Sequence, residues 1–109
     1  MIGMSEIDVD TLLPNGRVKQ AVQDGEMTQL TRGAGNQYAE AGDTFELNGE
    51  TFEVAEVSER KLGDMTDADA QREGSESLDA YKQRMQRAHG GNFEWNEDAD
   101  VMTYRFEQA

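Results

Sequence analysis

Three parts of this sequence have residue types and spacing that can do chemistry. They are a glutamate set before a glycine, Glu73-Gly74, an arginine opening a glycine loop, Arg32-Gly33-Ala34-Gly35-Asn36-Gln37, and a run of cations, Lys82, Arg84, Arg87 and His89. A carboxyl group turned out of water at a helix end can serve as a general acid or base, the alternative being a solvated helix residue. A guanidinium at the mouth of a glycine loop can clamp phosphate or a base edge while Gly33 and Gly35 let the backbone approach. The alternative for Arg32 is a structural pairing with an acid across the fold. The third group can contact phosphates together with Gly90, Gly91 and Asn92, or can answer the negative end of a helix dipole. Tyr38 and Trp95 are candidate stacking platforms, the alternative being a core position, which is the more usual one for Trp95. Thr28, Asn36 and Gln37 complete the candidate ligand set.

The distribution of charge sharpens this reading. The chain has 109 residues, with 23 Asp and Glu against 10 Lys and Arg and a net charge of −13. Yet residues 11 to 23, 27 to 39 and 80 to 93 contain no acid; they sum to +6 and the remainder to −19. Such a surface is acidic for solubility while leaving a neutral-to-basic face for a polyanion. Lysines are few, Lys19, Lys61 and Lys82, against seven arginines. This pattern suggests salt adaptation, because at molar ionic strength the Debye length is about 3 Å and crowded carboxylates repel weakly.

Several chemistries are excluded. Without cysteine there is no disulfide, thiolate nucleophile or Cys-ligated zinc, and one histidine cannot build an imidazole-rich metal site. Asp64, Asp67 and Asp69 lack the length and glycine of an EF-hand loop and read as solvated acids at a helix start. His89 has no Ser or Cys partner in a triad context. No cofactor and no transition metal are expected. No stretch approaches the ~18 apolar residues of a membrane span, and Met1 to Asp10 has no signal-peptide pattern, so a cytoplasmic chain without a membrane partner is expected.

The elements that must position these residues follow from periodicity. Asn15 caps a helix running to about Asp24, with Val18, Ala21 and Val22 at helical spacing and Gly25 as its stop. Glu26 to Arg32 reads as a strand with Met27, Gln29 and Thr31 on one face and Thr28, Leu30 and Arg32 on the other. Asp43 to Leu47 and Thr51 to Val57 form a hairpin about Asn48-Gly49, whose residues tolerate positive φ, with Phe45, Leu47, Phe52 and Val54 inward. Thr66 caps a short helix over Asp67 to Glu73, and Ser77 caps a longer one with a Leu78, Tyr81 and Met85 or Ala88 stripe closed by Gly90-Gly91. Val101 to Phe106 is a last strand that must pair back with early ones. The economical solution is a mostly antiparallel sheet, curled into a partial barrel, with its helices on one side.

Three stretches in this order resemble the ASCH domain family, a branch of the PUA-like superfamily. Gly25-Glu26-Met27-Thr28-Gln29-Leu30-Thr31-Arg32 is similar to the family's Gly-x-Lys-x-x-x-x-Arg pattern, Gly42-Asp43-Thr44-Phe45 to its Gly-Asp entry into the barrel, and Glu73-Gly74 with Leu78-Asp79-Ala80-Tyr81 to its helical insert. The resemblance spans roughly residues 12 to 106. It implies a cleft for RNA or a nucleoside, since PUA-like domains commonly bind RNA. Some ASCH members are small amidohydrolases of acylated cytidine, in which a Lys, a Thr three residues later and a downstream Glu act. The Glu falls on Glu73, but Met27 and Leu30 occupy the Lys and Thr positions, and a thioether cannot be a base. Thr28 and Thr31 are nearby hydroxyls, and Lys61 can approach from another strand.

The expectation is one α+β domain over residues 1–109, a small, mostly antiparallel β-barrel of PUA-like (ASCH) type with flanking helices, monomeric and loosely ordered over residues 1–10. Its expected role is an RNA-binding or modified-nucleoside-binding module in a salt-adapted cytoplasm such as that of a halophilic archaeon, using Arg32, Gly33, Gly35, Asn36, Gln37, Tyr38, Thr28, Arg84, Arg87 and His89. The alternatives are an amidohydrolase on a substrate such as N4-acetylcytidine, with Glu73 catalytic, and an acidic protein-interaction module.

Overall fold

Asn48 and Gly49 adopt φ of 52° and 85°, so the chain reverses where the sequence supplies two residues that tolerate the left-handed region. This turn joins β2 (Thr44–Leu47) to β3 (Glu50–Lys61). The computed structural model describes residues 6–13, 15–88 and 94–109, with the backbone alone for Ala88. Helix α1 (Val9–Leu12) and helix α2 (Gly16–Gln23) precede β1 (Gln29–Gly33). Asn15 caps α2 by accepting the Val18 N–H, as its position before the apolar spacing requires. Helices α3 (Asp67–Arg72) and α4 (Leu78–Ala88) follow β3, and β4 (Asp100–Gln108) ends the chain. Thr66 and Asp69 form a reciprocal capping box on α3, and Ser77 Oγ accepts the Ala80 N–H at the start of α4.

The sheet order is β1-β4-β3-β2, with every pair antiparallel. Curled, it forms a half-barrel with flanking helices. The strand β3 runs longer than the Thr51 to Val57 expected, because a bulge between Val54 and Glu56 shifts the register and lets the strand continue to Lys61. The extra residue re-aims the alternation, so one period-two pattern cannot describe the strand. Glu6 bridges Thr44 in parallel, and the Ile7 N–H donates to Thr44 O at 2.7 Å, which places residues 6 and 7 against the edge of β2.

One face of the sheet is apolar. Leu30, Phe45, Leu47, Phe52, Val54, Tyr104 and Phe106 pack with Leu12, Leu13 and Val22 from the first two helices. Phe45 stacks on Phe52 at 5.5 Å and meets the edge of Phe106 at 6.0 Å. Full burial of such a ring contributes about 1.5–3 kcal/mol. Met27 joins this core with Leu30, rather than sharing a face with Gln29 and Thr31, because β1 begins only at Gln29. A smaller cluster of Met65, Ala70 and Tyr81, with Leu78, Met85 and Trp95 against it, holds α4. The helices are thus not all on one side. The first two cover the apolar face, while α3 lies at the β1 edge, where Arg72 O accepts the Thr28 N–H at 2.8 Å. Among the described residues no helix is long and apolar enough to cross a membrane.

Candidate functional site

Alternation along β1 sends Leu30 into the core and turns Gln29 and Thr31 to the opposite side, where register places them beside Arg105 and Thr103 of β4. That row meets the C-terminal end of α3. The described residues include four buried polar side chains, Gln29, Asp69, Glu73 and Thr103, and hydrogen bonds join all four into one network through Thr31.

Glu73 is its centre. At 1% exposure it is the C-cap of α3, and its carboxylate accepts four hydrogen bonds. Gln29 Nε2 and Thr31 Oγ1 donate to Oε2 at 2.9 and 2.6 Å, while Thr31 N–H and the Tyr81 hydroxyl donate to Oε1 at 3.1 and 3.2 Å. Burial pushes this carboxyl above the usual glutamate range, and the donors from Thr31, Gln29 and Tyr81 oppose the shift. Burial, followed by the neighbouring Glu73 charge, pushes the Tyr81 phenol up as well. Two of the four donors are hydroxyls that can rotate to accept a proton from Glu73, so the site can hold either protonation state. The Thr31 N–H points away from β4, so Glu73 also closes the open edge of the sheet, a role that blunts strand addition.

Asp69 sits behind it. Burial works against its charge, but hydrogen bonds from Arg60, Thr66 and Gln29 outweigh that effect and hold its carboxyl below the usual range. Arg60 and Arg72 both pair with it, at 2.9 and 3.0 Å. Asp69 was expected as a solvated acid of the helix start; it is 4% exposed because the capping box turns it inward onto two guanidinium groups.

The other expected site residues divide into two groups. Arg32 alternates away from Glu73: its Nη1 donates to Thr11 O and Leu12 O, each at 3.3 Å, and its guanidinium lies 3.9 Å from the Tyr38 ring centre. Among the described residues it pairs with no acid, and it ties the end of α1 to the sheet. Tyr38 packs on the core and gives its N–H to the buried Tyr104 hydroxyl at 2.9 Å. Gly33 ends β1, while Gly35, Asn36 and Gln37 are exposed, Gln37 donating to Ala39 O at 3.0 Å. The second group lies by Glu73. Arg84 Nη2 donates to Glu73 O at 3.0 Å and stacks 5.2 Å from the Tyr81 ring centre, and Arg87 is exposed in the last turn of α4. Thr28 is exposed at the β1 edge. His89 and Gly90 to Phe93 lie outside the described residues. Trp95 stands edge-on to Tyr81 at 6.2 Å with Lys82 over its ring at 4.9 Å, a packing role. Lys61 pairs with Asp100.

Met27 and Leu30 are both core residues, and neither supplies a hydrogen bond to Glu73. The hydroxyl that does is Thr31, one residue beyond the position assigned by the sequence pattern. Gln29, Asp69 and Tyr81 escaped the sequence reading. The available signal was the Gln29/Thr31 alternation in a strand whose other face is Leu30, together with Asp at the third helical position after Thr66.

Ion pairing divides the cations largely along the acid-free windows, with Lys19 the exception. Lys19, Arg60, Lys61, Arg72 and Arg105 each pair with a carboxylate, while Arg17, Arg32, Lys82, Arg84 and Arg87 have no carboxylate partner among the described residues. Every one of the latter five lies in a window without acids.

No protein-family model and no curated protein matches the sequence. The fold itself has solved counterparts. An ASCH domain from Lactobacillus crispatus JV V101 superposes with a TM-score of 0.64 at 17% identity, over 97% of this chain and 79% of that one. A protein from Enterococcus faecalis V583 assigned to the DUF984 family superposes with a TM-score of 0.63 at 19% identity, over 100% of this chain and 77% of that one. The half-barrel with flanking helices is therefore an ASCH-like fold.

Proposed function

We propose that this domain is an RNA-binding or modified-nucleoside-binding module working in a salt-adapted cytoplasm. The observation that carries the reading is the set of five cations without carboxylate partners among the described residues, in a chain of net charge −13. Where acids outnumber bases so heavily, cations left unpaired are available to an external anion. Arg84 and Arg87 on α4 and the Arg32–Tyr38 pair flank β1 on its two sides, and the exposed Gly33 to Gln37 loop lies beside the latter. At high salt the counterion-release contribution is small, so stacking on the exposed part of Tyr38 and base hydrogen bonds from Asn36 and Gln37 carry more of the affinity.

The test is RNA affinity of the double variant Arg84→Gln, Arg87→Gln across a salt series. Loss of two single-strand phosphate contacts lowers the slope of log K against log salt by about 1.4. An unchanged slope and affinity sinks the reading and favours an acidic protein-interaction module.

A second reading is supported by one specific observation, the buried Glu73 carboxyl with a hydroxyl 2.6 Å away and an elevated proton affinity. Such a pair suits proton transfer in an amidohydrolase acting on an acylated nucleoside. N4-acetylcytidine turnover that disappears in Glu73→Gln supports it, and turnover retained in that variant removes Glu73 from the mechanism.

A further inference from the structure

Beside the buried network the surface opens into a groove of about 570 Å³, lined by Thr28, Ala55, Glu56, Arg72, Arg105, Phe106 and Glu107. Two of the arginines that anchor the network reach it. Arg72 is held from behind by Asp69, through Nη1 at 3.0 Å, and Arg105 by Gln29 Oε1, through Nε at 3.2 Å. Their side chains remain 35% and 44% exposed. Both terminal nitrogens of Arg105, and Nη2 and Nε of Arg72, make no hydrogen bond among the described residues. Two guanidinium groups are thus oriented by buried acceptors while their outer donors face solvent. This is how a preorganised oxyanion clamp is built, because the entropy of ordering the long side chains is already spent in the fold.

Arg60, Arg72 and Arg105 converge on a network in which Asp69 is the one carboxylate that ion-pairs Arg60 and Arg72. Glu56 approaches Arg105 only to 3.7 Å and is 59% exposed, so it can swing aside; Glu107 is also exposed. The exposed Thr28 adds a hydroxyl. The groove adjoins the α4 cations, since the carbonyl of Arg72 takes the Thr28 N–H and the next carbonyl, of Glu73, takes Arg84.

We propose that Arg72 and Arg105 in this groove bind the phosphate group of a nucleotide unit. This rests on the nucleic-acid reading above and specifies it: the ligand is a phosphorylated nucleoside or an RNA backbone rather than a free nucleoside.

The experiment is an NMR titration of the intact protein, observing arginine Nε–H signals in molar KCl, with inorganic phosphate, cytidine and cytidine 5′-monophosphate as probes. The Arg105 and Arg72 signals shift with the nucleotide, which binds about tenfold tighter than cytidine, the worth of one charge-assisted contact. Arg105→Gln removes that advantage, and the wild-type shifts keep the test decisive if Arg72→Gln, which loses the Asp69 pair, does not fold. Equal binding of cytidine and its monophosphate, or shifts that avoid both arginines, overturns the phosphate site while leaving the nucleoside reading intact. Shifts at both arginines with inorganic phosphate alone, and none specific to the nucleotide, overturn the nucleotide assignment and mark a free-phosphate site.

Discussion

Replacing Glu73 by Gln separates what the buried carboxyl does for stability from what its charge does. The variant keeps the shape but turns one oxygen into an amide donor. Placed at the Oε1 position, the new NH₂ faces Thr31 N–H and the Tyr81 hydroxyl, and the backbone donor cannot reverse. Placed at Oε2, it faces Thr31 Oγ1, which can rotate to accept, and Gln29 Nε2. Gln29 cannot flip without giving up its bonds to Asp69 and Arg105. The best arrangement therefore leaves one buried donor pair mismatched, a loss of about 1–3 kcal/mol. Against this stands the burial penalty of the carboxylate, which the amide escapes. Because the folded pKa lies above the ordinary 4.5, the native state binds more protons than the unfolded one. The glutamate's contribution is then fully present below about 4.5 and declines as pH rises through the folded value. Wild type thus exceeds Glu73→Gln most at acidic pH, and the gap narrows toward neutrality. Urea denaturation of both proteins in constant molar KCl over this range reads it directly. A gap that widens with rising pH would show that the four donors overcome burial, and would refute the argument that desolvation dominates at this site.

Asp69→Asn is expected to behave in the opposite sense. Its depressed pKa makes its contribution complete above about 3.8 and lost as pH falls, so the variant loses about 3 kcal/mol at neutral pH and has a flatter acid limb; an unchanged acid limb contradicts this. Gly74→Ala forces a side chain to φ 88° with its Cβ 3.3 Å from Met27 Cγ, and thermal unfolding should report a loss of about 1–2 kcal/mol. Tyr104→Phe leaves the Tyr38 N–H without its acceptor, costing about 1–2 kcal/mol and speeding amide exchange at Tyr38; unaltered exchange there would disprove the coupling.

Much of the fold was legible where one residue type serves one local purpose. Asn15, Thr66 and Ser77 cap helices, Asn48-Gly49 turns the hairpin, and Phe45, Phe52 and Val54 alternate into the core. The ASCH-like half-barrel follows from that order of elements. The bulge after Val54 was not legible, because a single extra residue leaves the composition of the strand unchanged. The helix α1 was missed since four residues carry too little periodicity to show. For the site, Glu73-Gly74 pointed to the right carboxyl, but its partners lie 40 or more positions away at Gln29 and Thr31, and only the strand register brings them there. Whether a row of Gln, Thr and Arg faces water or a helix is decided by packing, and sequence alternation alone does not say which. Arg32 shows the reverse case. Its glycine loop left both a phosphate clamp and a structural pairing open, and the carbonyls at the end of α1 that accept from one of its terminal nitrogens are contacts the sequence does not announce.

The most direct test of the nucleic-acid reading is an NMR titration of the labelled protein in molar KCl with short single-stranded and hairpin RNAs and with N4-acetylcytidine. The account predicts amide shifts at Arg32 to Tyr38 and at Arg84 to Arg87, the segments whose cations have no carboxylate partners among the described residues, and with the RNAs at Arg72 and Arg105 as well. Silence there with every ligand, while the protein remains folded, would contradict it and leave those cations with structural roles alone.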